Sequence, residues 1–323
     1  MIRGWGTGAL VLGALGAGIF VGLFIPTSKD GGFPTLREER EYGENYTFIS
    51  PLLSCGEGEF NHLGNDETIQ LEEQLETFVE GLKSQKKVTD VGIYFRELNG
   101  GPWVGINFEA KFTPGSLLKV PLAMSVYQLS ESDQGLLSKE IEYEGGTAIG
   151  EQHFTAPVVA PGVYTVEELI EAMLTNSDNN AAALLAQIIG KQNLDYSYSH
   201  LGIETPETGN DYETSVRTYS SFFRILYNAT YLDRTYSEKL LELLSKSVFT
   251  EGIVAGVPEG IKVAHKFGER AYTGEKLSQL HDCGIVYHPK QPYLLCVMMR
   301  GENIDTLAGA IRDVSRLVYT YAN

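Results

Sequence analysis

The spacing of apolar residues predicts both strands and helices from about residue 67 to the C-terminus. Alternating apolar positions on either side of residues 99–101 (Asn-Gly-Gly) predict a β-hairpin, because an Asn-Gly pair favours a tight turn. Residues 261–268 alternate in the same way and predict a further strand. Apolar stripes at helical spacing follow Ser116, follow Asn179 and end the chain. The last stripe comprises Ile304, Leu307, Ile311, Val314, Leu317 and Val318.

Ahead of this region, residues 4–25 form an uncharged run that is long enough to cross a bilayer as a helix. Arg3 precedes the run, which favours an N-terminus on the inside of the membrane and a domain on the outside. We interpret residues 1–26 as an uncleaved anchor, with a cleaved signal peptide and a secreted protein as the alternative. Residues 27–66 carry Gly, Pro and mixed charges and predict a linker, although residues 46–53 are apolar enough to dock on the domain over residues 67–323.

Composition narrows the partners that the chain can have. Its 323 residues carry a formal net charge of −17, which argues against nucleic acid and against an anionic membrane surface, because both would repel it. The six histidines show no spacing typical of metal ligands, and we expect no metal or cofactor.

Cys283 and Cys296 would face each other if residues 289–290 form a turn, and we favour two buried free thiols over a disulfide.

Ser116 and Lys119 have the spacing of a nucleophile and its base. They lie one helical turn apart, so the lysine amine can point at the serine hydroxyl, which needs a nearby base to become nucleophilic. The pair follows residues 113–115 (Thr-Pro-Gly) and begins an apolar stripe, which places the hydroxyl at a helix N-terminus. Ser84 and Lys87 have the same spacing, but no apolar stripe follows them, and we interpret them as surface residues.

Two further motifs follow in the chain, Ser177-Asp178-Asn179 and Lys266-Phe267-Gly268. The first precedes an apolar helical stripe, so its serine or aspartate can cap that helix, a role that is compatible with catalysis. The second lies in the predicted strand over residues 261–268, where a lysine is usually solvated. Its position after the other two motifs favours a functional role.

A serine-x-x-lysine pair, Ser-Asp-Asn and a Lys-x-Gly motif occur in this order in class A β-lactamases and penicillin-binding proteins. From about residue 67 onward the chain resembles a class A β-lactamase domain, including the first and last hairpins and the C-terminal helix. The resemblance implies an α/β (α+β) fold in which helices flank a five-stranded antiparallel sheet and an all-helical subdomain encloses a groove with it. We expect the strands over residues 88–98, 102–108, 261–268, 277–287 and 292–300.

The resemblance also implies a role for each site residue. Ser116 is expected to be the nucleophile, Lys119 its base and Ser177 the group that passes a proton to the leaving nitrogen. The backbone N–H groups of Ser116 and Glu269 would form the oxyanion hole. The remaining expected substrate contacts are Asn179 with the substrate amide, Lys266 with an anionic group and Gly268 through close approach of the substrate backbone.

The chain departs from the family pattern in two places. Phe267 stands where the family has a hydroxyl that binds the substrate carboxylate, and Arg270 or Tyr272 is the expected replacement. Residues 201–213 contain no Glu-x-x-Leu-Asn, the pattern that activates water for deacylation in class A enzymes. The glutamates in or next to this segment, which we interpret as surface or capping residues, are Glu204, Glu207 and Glu213.

The sequence therefore predicts a serine hydrolase that forms an acyl-enzyme at Ser116 with β-lactams or related amides and deacylates slowly. The first alternative is a penicillin-binding or D-alanyl-D-alanine peptidase-like enzyme that acts on cell-wall peptides. The second is a binding module of the same fold that has lost turnover. In each case we expect a small-molecule or peptide substrate and membrane attachment through the N-terminal segment.

Overall fold

The computed structural model describes residues 46–50, 66–146, 152–202, 212–271 and 277–323. Its strands are β1 (Asp90–Glu97), β2 (Trp103–Ile106), β3 (Glu140–Tyr143), β4 (Gly162–Thr165), β5 (Val263–Ala271), β6 (Ser278–Val286) and β7 (Tyr293–Gly301). Its α-helices are α1 (Asp66–Ser84), α2 (Lys119–Ser132), α3 (Val166–Thr175), α4 (Asn179–His200), α5 (Val216–Tyr227), α6 (Arg234–Leu244) and α7 (Ile304–Ala322). Short 3-10 helices cover Gly115–Leu118 and Val254–Gly256.

The predicted strands are confirmed as one antiparallel sheet with the order β2-β1-β7-β6-β5. Strand β5 extends three residues beyond the predicted end, because its pairing with β6 continues to Ala271 opposite Ser278. Strand β5 lies at one edge of the sheet, which leaves its outer side open to the segment that carries Ser116.

The two faces of the sheet pack against different helices. On one face, α1 and α7 bury residues such as Leu75 and Ile311 against Phe95 and Leu295. On the other face, α5 and the helices α2, α3, α4 and α6 share a second apolar core. The predicted fold class, with helices on both faces and a helical subdomain, is confirmed.

Residues 46–50 dock on this domain, as their apolar character predicts. The carboxylate of Glu238 accepts backbone N–H groups from Thr47, Phe48 and Ile49 at 2.5 to 3.0 Å. The Tyr287 hydroxyl donates to the Phe48 carbonyl at 2.9 Å, and the Phe48 side chain is buried. Residues 51–53 lie outside the described ranges.

Cys283 and Cys296 form a disulfide, so our preference for free thiols is wrong. They are directly opposed residues of β6 and β7, with Cα atoms 3.9 Å apart, and both side chains are fully buried. The register of the β6–β7 hairpin brings the two sulfur atoms together. Both cysteines are therefore tied to the centre of the sheet.

Within the described residues, no helix has the length and apolar character that a membrane crossing requires. The predicted anchor over residues 1–26 lies outside those residues, as does most of the predicted linker. The same part of the chain holds no group of three or more His, Cys, Asp or Glu side chains arranged to bind a metal ion.

Candidate active site

Ser116 lies in the 3-10 turn that leads into α2. The Tyr219 hydroxyl donates to the Leu117 carbonyl at 2.9 Å and so holds this turn from α5. On its other side the turn contacts β5: a Cβ atom on Gly115 would lie 2.9 Å from the Glu269 carbonyl oxygen. The nucleophile predicted from the sequence thus lies directly beside the edge strand.

The amine of Lys119 joins the first two motifs. Its Nζ lies 3.0 Å from Ser116 Oγ, 3.1 Å from Ser177 Oγ and 2.7 Å from Asn179 Oδ1. It also lies 2.5 Å from the Ser177 carbonyl oxygen. An ammonium has three N–H donors, so these four oxygens compete for them.

Burial lowers the pKa of Lys119 from its usual 10.5 to about 7, and the negative charges of Asp178 and Glu269 oppose part of that fall. Removing an ammonium from water disfavours its charged form, which explains the direction of the shift. A substantial fraction of Lys119 is therefore neutral near pH 7. A neutral amine is what a base that accepts the serine proton requires.

Asp178 holds the second motif in place. Its Oδ1 accepts the Ala181 N–H at 2.8 Å and caps α4, while its Oδ2 accepts the N–H groups of Val158 and Val159 at 2.6 and 2.9 Å. Ser177, with φ of 55°, is the residue just before this cap. Capping therefore belongs to Asp178, while Ser177 and Asn179 face the amine of Lys119.

Lys266, in the third motif, is buried, whereas a lysine in a strand is usually solvated. The Lys266 side chain is fully buried, its Nζ donates to the Phe267 carbonyl at 2.9 Å, and it lies 4.2 Å from the centre of the Phe267 ring. Burial lowers the pKa of Lys266 well below 10.5, and the nearby Lys119 charge lowers it further. Phe267 stacks on Phe249, with ring centres 4.4 Å apart, which explains an aromatic residue at this position.

Gly268 lies very close to the turn that carries Ser116. A Cβ atom there would lie 2.5 Å from the Pro114 carbonyl oxygen and 3.1 Å from the Leu117 nitrogen. The missing side chain makes room for the turn that carries Ser116. The next residue, Glu269, is thereby placed beside Ser116. The expected contact of Gly268 with substrate backbone stays a prediction.

The Glu269 carboxylate has an unusual environment. Its Oε1 accepts the His153 N–H at 2.9 Å, while the buried Oε2 has no hydrogen-bond partner among the described residues. Burial raises the pKa of Glu269 above 4.5, and hydrogen bonds from the backbone of His153 and Phe154 oppose the rise. Arg270 lies opposite Gln279 on β6, and Tyr272 lies outside the described residues.

Comparisons with known proteins identify a family for this chain. A family model described as the β-lactamase enzyme family matches residues 70–322. The chain belongs to this family. The extended-spectrum β-lactamase PER-1 of Pseudomonas aeruginosa is 26% identical over 274 residues, which cover 78% of this chain and 87% of that protein.

Solved structures of the family share the fold. A β-lactamase from Chitinophaga pinensis superposes with a TM-score of 0.69 at 19% identity, covering 79% of this chain and 100% of that chain. A variant of PBP-A, solved as an acyl-enzyme complex with penicillin G, superposes with a TM-score of 0.65 at 24% identity, covering 78% and 96%. The resemblance to class A β-lactamases predicted from the three motifs is confirmed.

Sequence reasoning missed Gln152 in this β-lactamase-family site. Its Nε2 donates to the Ser177 carbonyl at 3.1 Å and lies 3.5 Å from Ser177 Oγ. It also missed the hydrogen bonds of Asp282, a buried residue of β6. Its carboxylate bonds Nδ1 of His265 in β5 at 2.7 Å and accepts the Ile253 N–H at 2.9 Å. Neither arrangement has a spacing signal, because each joins segments that are distant in the chain.

A cavity of about 530 Å³ opens beside Ser116 of this family member. It is lined by Gly115, Ser116, Leu118, Lys119, Leu122, Asn179, Ala182, Ala183, Ala186, Lys191, Leu194, Asp195 and Tyr198. Of the glutamates in or next to residues 201–213, Glu213 is exposed, and its Oε1 lies 3.4 Å from the Arg300 guanidinium. Glu204 and Glu207 lie outside the described residues.

Proposed function

We propose that this β-lactamase-family chain is a serine hydrolase that forms an acyl-enzyme at Ser116 with β-lactams or related amides. The contact between Lys119 Nζ and Ser116 Oγ carries the proposal, because it pairs a nucleophile with an amine whose pKa is about 7. Neutral Lys119 accepts the serine proton as the oxygen attacks the carbonyl carbon. The proton then passes through Ser177 to the leaving nitrogen, and the acyl group stays on Ser116.

The tetrahedral intermediate of this reaction needs donors for its negative oxygen. The N–H groups of Ser116 and Glu269 are the proposed donors, and the tight packing of Gly115 on Glu269 supports their proximity. Asn179 is the proposed ligand of the substrate amide. Buried Lys266 supplies positive potential when protonated, and Arg270 is the proposed partner of a substrate carboxylate.

We also propose that deacylation is slow. Hydrolysis of the ester needs a base that positions a water molecule. The described wall of the cavity beside Ser116 includes three alanine and three leucine side chains but no glutamate, and Glu213 is engaged with Arg300. Both observations favour an acyl-enzyme that persists.

A penicillin-binding or D-alanyl-D-alanine peptidase-like activity on cell-wall peptides is the second candidate. The structural similarity to PBP-A favours it, because that protein was captured as a penicillin acyl-enzyme. A stable acyl-enzyme is common to both candidates. They differ in whether a peptide ending in D-alanyl-D-alanine is cleaved, which can be measured as D-alanine release.

Labelling with a fluorescent penicillin tests the proposal. The wild-type protein should acquire one label, and mass spectrometry should place it on the peptide that contains Ser116. Ser116→Ala should abolish labelling and keep the circular dichroism spectrum. Ser84→Ala is the matched control, because Ser84 is exposed at the end of α1 and its hydroxyl donates to the Gly81 carbonyl of the same helix. Labelling that survives Ser116→Ala, or a wild-type protein that takes no label, would refute the assignment.

The N-terminal run carries a separate proposal, that residues 1–26 anchor the chain to a membrane and leave the domain on the extracytoplasmic side. Arg3 and the uncharged residues 4–25 support it. Full-length protein should sediment with membranes and resist extraction by alkaline carbonate. A chain without residues 1–26 should be found in the soluble fraction. Recovery of the full-length protein in the soluble fraction, with an intact N-terminus, would contradict the proposal.

A further inference from the structure

We propose that the cavity beside Ser116 receives an apolar acyl chain, so that the site also hydrolyses carboxylic esters of medium-length fatty acids. This inference rests on the proposed function of Ser116 as nucleophile and specifies a substrate class for it. The cavity of about 530 Å³ falls within the range of small-molecule sites. The nucleophile and its base, Ser116 and Lys119, both line it.

The chemistry of the wall points to an apolar chain. Six of the side chains that line the cavity are aliphatic: Leu118, Leu122, Ala182, Ala183, Ala186 and Leu194. Burying methylene groups against such a wall is favourable because it removes them from water. An acyl chain attached to Ser116 would lie along this wall with its carbonyl group still at the site.

The shape of α4 explains why one helix supplies so much of the wall. Ala182, Ala183 and Ala186 lie on one side of its first segment, and Ala186 lies about 10 Å along the axis from Asn179. The helix is interrupted at Gly190, where φ is 73° and ψ is 155°. Leu194 and Tyr198 follow this interruption and line the same cavity. The small side chains and the kink leave a channel where a regular helix with larger residues would fill the space.

Charge in the cavity is locally balanced. Lys191 and Asp195 form an ion pair in which Nζ lies 3.0 and 2.8 Å from the two carboxylate oxygens. Both residues are one helical turn apart at the far part of α4, so neither presents an unpaired charge to the apolar wall. Among the described lining residues, the remaining charged group is Lys119, which belongs to the proposed catalytic site. The described part of the wall therefore presents no unpaired charge to a neutral aliphatic chain outside that site.

The reaction balances without any further reagent. Ser116 Oγ attacks the ester carbonyl, the carbon–oxygen bond to the alcohol breaks, and the serine proton reaches the leaving oxygen through Lys119. Water then hydrolyses the Ser116 ester, which releases the fatty acid and regenerates the hydroxyl. The alcohol leaves in the first step, so its release reports acylation even where deacylation is slow.

A chain-length series tests the proposal with the full-length protein. The first equivalent of 4-nitrophenol is measured with the acetate, butyrate, hexanoate and octanoate esters. We expect the acylation rate, relative to the rate of spontaneous hydrolysis, to rise about fourfold per methylene group that the cavity buries. Equal relative rates for acetate and octanoate, or faster acetate, would overturn the proposal.

Two filling variants locate the effect. Ala186→Phe and Ala183→Phe should each lower the octanoate-to-acetate ratio by at least tenfold. Gln187→Phe is the matched control, because Gln187 is exposed on the same helix, and it should keep the wild-type ratio. An unchanged ratio in both filling variants would show that the acyl chain binds elsewhere. That result would refute the cavity as the binding site of the acyl chain.

The penicillin label separates this inference from the proposed function. A protein that is labelled at Ser116 but shows no chain-length preference refutes the acyl cavity alone. Ester cleavage that persists in Ser116→Ala refutes the use of this nucleophile for esters. A protein that reacts with neither penicillin nor esters refutes both proposals.

Discussion

Gly268 packs against Pro114 so closely that a single methyl group on the glycine would lie 2.5 Å from the proline carbonyl oxygen. Real Cβ contacts are essentially never that short, and the obstacle is backbone. The edge strand and the turn that carries Ser116 are thus fitted to each other. The position of the Glu269 N–H relative to Ser116 depends on this fit.

Gly268→Ala should therefore lower the rate of penicillin acylation by about a hundredfold, because a displacement of about 1 Å at a reacting centre has effects of that size. Gly81→Ala in α1 is the control: apart from the backbone of its own helix and its chain neighbours, no atom of the described residues lies within 4 Å of the new Cβ, so the acylation rate should be unchanged. Its thermal stability should be equal or higher, since alanine favours a helix. Wild-type acylation by Gly268→Ala would show that the turn can move without harm to the site.

A second prediction concerns the identity of the base. Lys119→Arg keeps the positive charge, but a guanidinium does not release its proton at accessible pH. The acylation rate should fall by about two orders of magnitude or more, the usual size of a general-base contribution. Lys87→Arg, at an exposed position with the same spacing from a serine, should have no effect. An arginine variant that acylates at the normal rate would remove Lys119 from the role.

The pKa of Lys119 predicts the pH dependence of acylation. Because the neutral amine is the active form and its pKa is about 7, the rate should rise with pH through that value and be lost below it. The negative charge of Glu269 raises the pKa of Lys119, so Glu269→Gln should move the midpoint to lower pH. Stopped-flow acylation across pH 5 to about 9 measures both midpoints.

Glu213→Gln is the control for that shift, because Glu213 is exposed and its carboxylate lies 3.4 Å from the Arg300 guanidinium, whereas the negative charges that act on Lys119 are Asp178 and Glu269. Its midpoint should coincide with the wild-type midpoint. A Glu269→Gln midpoint at higher pH than the wild type would have the wrong sign and would exclude the assigned electrostatic coupling.

The strands and the Ser116–Lys119 pair were predictable because each rests on a local period. Alternation defines the strands, and a separation of one helical turn brings Lys119 to Ser116. Ser177 lies 58 residues from Lys119, so its place came from motif order and not from spacing. The local spacing of residues and the order of the three motifs along the chain therefore predict most of the proposed site.

Other features depend on contacts that no local pattern encodes. The bond between the His153 N–H and Glu269 joins residues 116 apart, and Gln152 reaches Ser177 from a segment without a motif. The kink at Gly190 lies just beyond the apolar stripe that follows Asn179, and that stripe does not indicate it. Tertiary packing decides these cases, as it commonly overrides propensity.

The disulfide gives a prediction on stability. Cys283 and Cys296 are 13 residues apart, and a cross-link that closes a loop of this size contributes about 3 kcal/mol by limiting the unfolded chain. Replacing both cysteines by alanine should lower the free energy of unfolding by that order, as measured by urea denaturation. Under denaturing, non-reducing conditions, iodoacetamide should add one label to the wild-type chain, at Cys55. Three labels would show that the pair is reduced.

The last prediction is that deacylation limits turnover. Residues 201–213 offer no Glu-x-x-Leu-Asn, and the described wall beside Ser116 contains six aliphatic side chains and no glutamate. Loss of a positioned general base costs about a hundred- to ten-thousand-fold in rate, so the acyl-enzyme should persist for minutes or longer. A chromogenic cephalosporin should therefore release one rapid equivalent of product, followed by a very slow steady state.

The alternative outcomes of that assay are distinct. Fast multiple turnovers without a burst would show that a base does reach the ester, and single alanine substitutions at Glu204, Glu207 and Glu213 would identify it. Of these, Glu213→Ala should be neutral for turnover, because its carboxylate faces Arg300. The absence of both a burst and a label on Ser116 would favour a binding module that has kept the groove but lost the reaction, since the Lys119–Ser116 contact alone does not ensure that a substrate carbonyl reaches the hydroxyl.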